Sequence, residues 1–180
     1  GTALSYAVSM RGGDFTSVYP VPEFRYTEER AEKEFGTRQA VDRMATGGKG
    51  ALVRYCLIVS SIIDSLGICK VPALTIAGNY DLEKETRLVR ALTGLDLTKE
   101  RLLCIGERIV NMEKLFNLRF GATSDLDTLP EKFLEEPIGE GPSTGAKVDL
   151  KPMVQDFYRI MGWDEQGVPL PETLAAFNLP

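Results

Sequence analysis

Apolar side chains recur three and four residues apart along most of this 180-residue chain, the period of helices that bury one face. Leu102, Ile105, Ile109, Met112 and Phe116 define such a face on a helix predicted from about Thr98 to Leu118, with Glu107, Arg108 and Lys114 outward. Thr98 offers an N-cap hydroxyl and Gly121 a stop. A second helix is predicted after Asp81, with Val89 and Leu92 inward and Glu83, Lys84 and Arg87 in water, ending before Gly94. A third starts at the Asp149 cap and accepts Pro152 in its first turn. It buries Leu150, Met153, Val154, Phe157 and Met161 and stops at Gly162.

The stretch Ala51 to Ile63 is apolar nearly all round, which predicts a helix enclosed by other protein at the centre of the fold. Strand signals are short; Val71 to Ile76 is interrupted by Pro72, and no other segment alternates cleanly. Between Gly121 and Lys147 the chain accumulates Pro130, Pro137, Gly139, Gly141, Pro142 and Gly145, a long connection with one helical turn at Glu131 to Leu134. Loops of this length usually wrap a neighbour or line a site. The charges from Glu28 to Glu34 read as a solvated helix face. The expected architecture is all-α and multihelical, with long Pro/Gly-rich loops and little strand.

Composition narrows the chemistry. Twenty-one basic and twenty-six acidic residues leave a formal charge of −5, and no cluster of Lys and Arg suggests a nucleic-acid surface. Histidine is absent, which excludes a Ser-His triad and His-ligated zinc. The apolar run Tyr55 to Ile63 is too short to span a bilayer, so no membrane association is expected. Three cysteines in helical or apolar contexts do not resemble a secreted disulfide framework, which makes the cytoplasm the expected compartment. The chain starts at Gly1 rather than Met with helical periodicity already under way, and it reads as a piece of something larger.

The segment Asp64-Ser65-Leu66-Gly67-Ile68-Cys69 places an acid and a thiol five positions apart across a glycine, directly after the most apolar segment. A carboxylate can accept paired hydrogen bonds from a flat nitrogen heterocycle, a thiolate can hold iron, and glycine lets backbone approach either ligand. Taken alone, Cys69 is more simply a buried free cysteine, and Asp64 a carboxylate that faces solvent or accepts a backbone N–H. A charge at a helix C-terminus opposes the macrodipole, so something is expected to compensate Asp64. One cysteine cannot hold a cluster. If Cys69 binds iron, the other ligands come from outside this chain, because Cys56 and Cys104 fall inside predicted helices among apolar neighbours. Arg11-Gly12-Gly13-Asp14 interrupts the Leu4 to Met10 helical stretch and reads first as a helix end and turn.

These segments together resemble the C-terminal domain of tungsten-containing aldehyde ferredoxin oxidoreductases, over almost the whole chain. Ala3 to Ala7 with Arg11 to Asp14 resembles the family's entry into this domain, and Asp64 to Cys69 its Asp-x-x-Gly-aliphatic-Cys signature. In order follow Leu92 to Asp96, Gly106 to Ile109, Phe116-Asn117, Asp127 to Pro130, Glu136-Pro137, Gly162 to Asp164 and Gly167 to Pro169. The resemblance implies that residues 1–180 form the helical C-terminal domain of a larger tungsten (or molybdenum) iron-sulfur oxidoreductase. Asp64 would hydrogen-bond a pterin of a tungsten-bis-pterin cofactor, and Cys69 would be the last ligand of a 4Fe-4S cluster. The backbone of Gly67 and Ile68 would pass between them.

It further implies a parent enzyme that oxidises aldehydes to carboxylates and passes electrons to ferredoxin or another carrier. N-terminal domains of the parent would supply the other cluster cysteines. The isolated chain is expected to bind neither cofactor and to be inactive, and apolar area left uncovered could pair it in a homodimer. Arg11, Asp14 and Phe15 are the candidates for the substrate approach. Family members often carry His where this chain has Phe15, and that exchange removes a proton donor and acceptor. Two other readings are carried: a tungsten reductase of aryl-CoA thioesters of the benzoyl-CoA reductase type, and a non-catalytic helical interaction module. An interaction module should pack Cys69 deeply, whereas an oxidoreductase domain should leave Asp64 and Cys69 on a surface.

Overall fold

The computed structural model describes residues 1–76 and 80–180. The chain runs through α1 (Thr2–Ala7), a 3-10 turn (Phe15–Ser17), α2 (Pro22–Arg25), α3 (Glu28–Phe35), a second 3-10 turn (Arg38–Val41) and α4 (Lys49–Ser65). A π-helical turn (Val71–Ile76) precedes α5 (Glu83–Thr93) and α6 (Lys99–Arg119). A short 3-10 turn (Ser124–Leu126), α7 (Glu131–Glu135), α8 (Leu150–Met161) and α9 (Pro171–Ala176) complete it. Among the described residues the extended pairing is an isolated bridge between Trp163 and Pro169. The expected all-α architecture is what forms.

The all-round apolar α4 is the core. Leu52, Val53, Cys56, Val59 and Ile63 are wholly buried on it, and α6 and α8 pack along it, with α1 and the first 3-10 turn closing the remaining side. Ser60 in α4 ties that turn down by donating its hydroxyl to the Val18 carbonyl at 2.8 Å. The helix from Leu150 to Met161 buries all five predicted residues and ends at Gly162. The helical turn foreseen inside the long connection is α7.

Helix α6 has the predicted Thr98 cap, which accepts from the Arg101 N–H, but it is rotated from the expected face. Its buried positions are Leu102, Gly106, Val110, Asn111 and Lys114, whereas Ile105, Met112 and Phe116 are exposed. The reason lies at Gly106. A Cβ there would sit 2.7 Å from Ile62 Cγ1 and 2.9 Å from the Ile58 carbonyl oxygen, so α6 approaches α4 through a glycine and the bulky stripe is left outside. On α5, Val89 is buried as expected, but Leu92 is 75% exposed and Glu85 and Thr86 turn inward instead.

Lys114, expected in water, is buried. Its ammonium donates to Asp127 Oδ2 at 2.9 Å and lies 5.3 Å from the Trp163 ring centroid. The Tyr158 hydroxyl donates to the same carboxylate oxygen. Trp163 Nε1 donates to Asn111 Oδ1 at 2.8 Å. This network fastens the start of the long connection and the end of α8 to α6. Replacing Lys114 with Met should leave the Asp127 carboxylate without its cation, and loss of one partner of a buried pair costs about 3–5 kcal/mol. Urea denaturation of Lys114→Met should show a fall of that size.

Burial raises the Tyr26, Tyr55, Tyr80 and Tyr158 phenols above their ordinary range, with the Asp127 hydrogen bond and charge adding to the effect at Tyr158. The folded state therefore holds these protons more tightly than the unfolded chain does. The stability they contribute is whole below about pH 10, the ordinary tyrosine value, and is lost as pH rises beyond it. Burial raises the Cys56 thiol in the same way, so denaturation midpoints should begin to fall above about pH 8.5, the ordinary cysteine value, and fall more steeply between about pH 10 and pH 11.

Candidate functional site

Helix α4 ends in a Schellman motif that fixes the Asp64 to Cys69 segment. The Ile68 N–H donates to the Ile63 carbonyl at 3.1 Å and the Gly67 N–H to the Asp64 carbonyl at 3.0 Å, the paired bonds of that cap. Gly67 takes φ +66°, and a Cβ placed there would meet open space. Its first role is thus the left-handed cap. Ile68 folds back to pack against the core, as the residue after such a glycine commonly does. The turn then delivers Cys69 to the surface.

Asp64 and Cys69 are both exposed at this one end of α4. Cys56 is wholly buried and Cys104 half-buried; all three thiols are free. The environment separates them, because burial pushes the Cys56 thiol well up.

The compensation Asp64 needs comes from two cations that sequence reasoning did not assign to it. Lys70, next to Cys69 and with its side chain 9% exposed, donates from Nζ to Asp64 Oδ2 at 2.7 Å and to the Thr16 carbonyl at 2.6 Å. Arg11 Nη2 lies 3.7 Å from the same Asp64 oxygen and 3.1 Å from Asp14 Oδ2. Among the described residues, Asp64 Oδ1 has no hydrogen-bond partner. One acceptor oxygen is therefore tied to protein and the other is open.

Asp14 caps the Phe15–Ser17 turn by accepting the Thr16 N–H at 2.8 Å and the Thr16 hydroxyl. Burial pushes its carboxyl up, but those hydrogen bonds and the Arg11 charge outweigh this and hold it below its ordinary value. Glu113 on α6 completes the group of charges. Burial raises its carboxyl and the Asp64 charge adds to this, while Arg11 and Lys70 oppose. The structure thus brings Arg11, Asp14, Asp64 and Lys70 into one cluster beside Cys69.

Phe15 is half-buried between Tyr6 and Tyr19, with ring centroids 5.7 Å and 5.6 Å away. A cleft of about 620 Å³ adjoins the turn at Gly12 and Gly13, bordered also by Tyr6, Met10, Leu129 and Phe133. Gly12 and Gly13 line it; Arg11, Asp14, Phe15, Asp64 and Cys69 do not. No described helix is long and apolar enough to cross a membrane. Nor do the described residues contain a group of three or more Cys, Asp or Glu side chains that could hold a metal ion.

A family model described as aldehyde ferredoxin oxidoreductase, domains 2 and 3, matches residues 1–179. The chain belongs to the aldehyde ferredoxin oxidoreductase family. It is 39% identical over 171 residues to the tungsten-containing aldehyde ferredoxin oxidoreductase of Pyrococcus horikoshii, covering 93% of this chain and 26% of that protein. Identity to the Pyrococcus furiosus enzyme of the same name is 42% over 110 residues, 61% of this chain and 18% of that protein. A second Pyrococcus furiosus protein, an aliphatic sulfonate oxidoreductase, WOR-like subunit, is 30% identical over 186 residues, covering 98% of this chain and 24% of its own length.

The fold also occurs in the active site complex BamBC of benzoyl coenzyme A reductase in complex with 1,5-dienoyl-CoA. The TM-score is 0.68 at 15% identity, covering 99% of this chain and 30% of that one. The matched stretch spans 26% of the length of the family member at 39% identity and 18% of that at 42%.

The contrast between the thiols yields a direct check. With Ellman's reagent on the folded chain, Cys69 should react first, Cys104 more slowly, and Cys56 only on unfolding. Cys69→Ser should remove the fast phase; a fast phase that survives the substitution would show that the bend does not present this thiol.

Proposed function

We propose that the chain is the helical domain that contacts a pterin and an iron-sulfur cluster in a larger tungsten oxidoreductase that oxidises aldehydes to carboxylates with ferredoxin as acceptor. The observation that carries this reading is the joint exposure of Asp64 and Cys69 at one capped helix end, in a chain whose family match is end to end. A non-catalytic interaction module would have no use for a thiol and a half-open carboxylate turned outward together.

The residues present fit one edge of such a site. Asp64 Oδ1 is open to accept a ring N–H, and Cys69 can supply one thiolate to iron whose remaining ligands come from elsewhere in the parent. The exposed Ile105, Met112 and Phe116 face of α6 supports further domains of the parent as its covering.

The net reaction is RCHO + H₂O → RCOO⁻ + 3 H⁺ + 2 e⁻, and the electrons leave one at a time to ferredoxin. When bound, tungsten would supply two-electron redox chemistry and a cluster held in part by Cys69 would supply single-electron transfer. The part of this chain is positional. Asp64, held on one oxygen by Lys70, orients the cofactor edge, the Gly67 cap keeps Cys69 at fixed distance from it, and the Arg11 to Phe15 turn borders the approach of substrate. Phe15, packed between two tyrosines, offers no proton to a reacting carbonyl. The same aromatic surface supports a second reading, a reductase of aryl-CoA thioesters.

In the full-length protein, Cys69→Ser should remove the cluster's iron, measured by metal and sulfide analysis. Asp64→Ala should weaken tungsten retention by roughly 10–100-fold, the range for loss of a partner that orients a metal's ligands. Assays with aldehydes and with aryl-CoA thioesters separate the two readings. Full iron content in Cys69→Ser would refute the assignment.

A further inference from the structure

Lys70 hydrogen-bonds to both halves of the charged cluster. Its ammonium is withdrawn from water and makes two short bonds, to the Asp64 carboxylate at the end of α4 and to the Thr16 carbonyl in the turn that follows Arg11 to Asp14. A cation this far withdrawn from water is weakly screened, so its field reaches neighbouring groups more strongly than that of a surface lysine. It also immediately follows Cys69 in the chain.

We infer that Lys70 is the positioning residue of this surface: it locks the Asp64 carboxylate and the Arg11 to Ser17 turn into one unit, and its charge raises the reduction potential of a centre ligated by Cys69. The second half of the inference rests on the reading of Cys69 as an iron ligand; the first half does not. The sign follows from the charges present. Arg11 and Lys70 stand against Asp14, Asp64 and Glu113. Removing Lys70 leaves one cation facing three carboxyl groups, and a more negative surrounding makes an added electron less welcome at an iron-sulfur centre, whose potential follows local charge and hydrogen bonding. Arg11 cannot substitute, because it is half exposed and 3.7 Å from the carboxylate oxygen.

The geometry also explains why a lysine is used here. Its two acceptors are a carbonyl on one segment and a carboxylate on another, and a flexible stem ending in a compact three-donor head reaches both without the planar fork that arginine would have to align.

The test uses the full-length protein in four forms: wild type, Lys70→Met, Lys70→Arg and Cys69→Ser. The midpoint potential of the cluster is read by redox-titrated electron paramagnetic resonance. Amide hydrogen exchange is read over residues 14–18 and 64–70. Lys70→Met should keep its iron, shift the potential negative by at least a tenfold change in the reduction equilibrium, which is 59 mV for one electron, and speed exchange in both segments together. Lys70→Arg should restore most of the potential.

An unchanged potential in Lys70→Met with iron retained overturns the electrostatic role, as does an equal shift in Lys70→Met and Lys70→Arg. Unchanged exchange in residues 14–18 overturns the locking role. If Lys70→Met does not fold, Lys70→Gln takes its place under the same criteria. Full iron and a wild-type potential in Cys69→Ser would instead refute the iron assignment, leaving the exchange result to decide the positioning role alone.

Discussion

The burial of α4 over most of its length is the constraint on which the rest of the structure depends. A helix apolar on every side must be walled in by neighbours, and here those neighbours are α6, α8, α1 and the Phe15–Ser17 turn. The chain can leave such a helix only through an end that satisfies its last carbonyls. The Schellman cap at Gly67 does this within four residues and turns Cys69 outward beside Asp64. Placement of the two candidate ligands is thus a consequence of how a buried helix is terminated.

That termination creates an electrostatic difficulty which the fold resolves with its own residues. Asp64 adds negative charge where the helix dipole is already negative, and the buried Lys70 ammonium answers it from the next turn of chain. The same ammonium reaches the Thr16 carbonyl, so the turn that carries Arg11 and Asp14 is drawn to the end of α4. Segments some fifty residues apart become one surface. One carboxylate oxygen is consumed in this arrangement and the other stays available.

Much of this was legible in the chain of letters. An all-round apolar run announces a central helix. Leu150, Met153, Val154, Phe157 and Met161 announced α8, because their spacing, the Pro152 in the first turn and the closing Gly162 all agree. Asp64, Gly67, Ile68 and Cys69 were recognisable as a unit. The face of α6 was not. Counting large apolar residues favours Ile105, Met112 and Phe116, but the closest approach to α4 is made through Gly106, which carries no hydrophobic weight in a periodicity argument. Lys114 and Lys70 were missed for a related physical reason. A lysine looks like a solvent residue until the fold shows a carboxylate waiting inside, Asp127 for one and Asp64 for the other. Those partners lie on other segments, 13 residues away for Lys114, or beyond a tight cap for Lys70. The compensation that Asp64 needs is thus supplied by the protein's own Lys70 and Arg11.

The proposed function requires Asp64 and Cys69 to face two redox groups that the rest of a larger enzyme completes. Iron-edge anomalous diffraction from crystals of the full-length protein tests this most directly. Iron density is expected at bonding distance from Cys69 Sγ, with a pterin ring N–H within hydrogen-bond reach of Asp64 Oδ1. Iron ligated wholly by other residues, with the Cys69 thiol free, would contradict it.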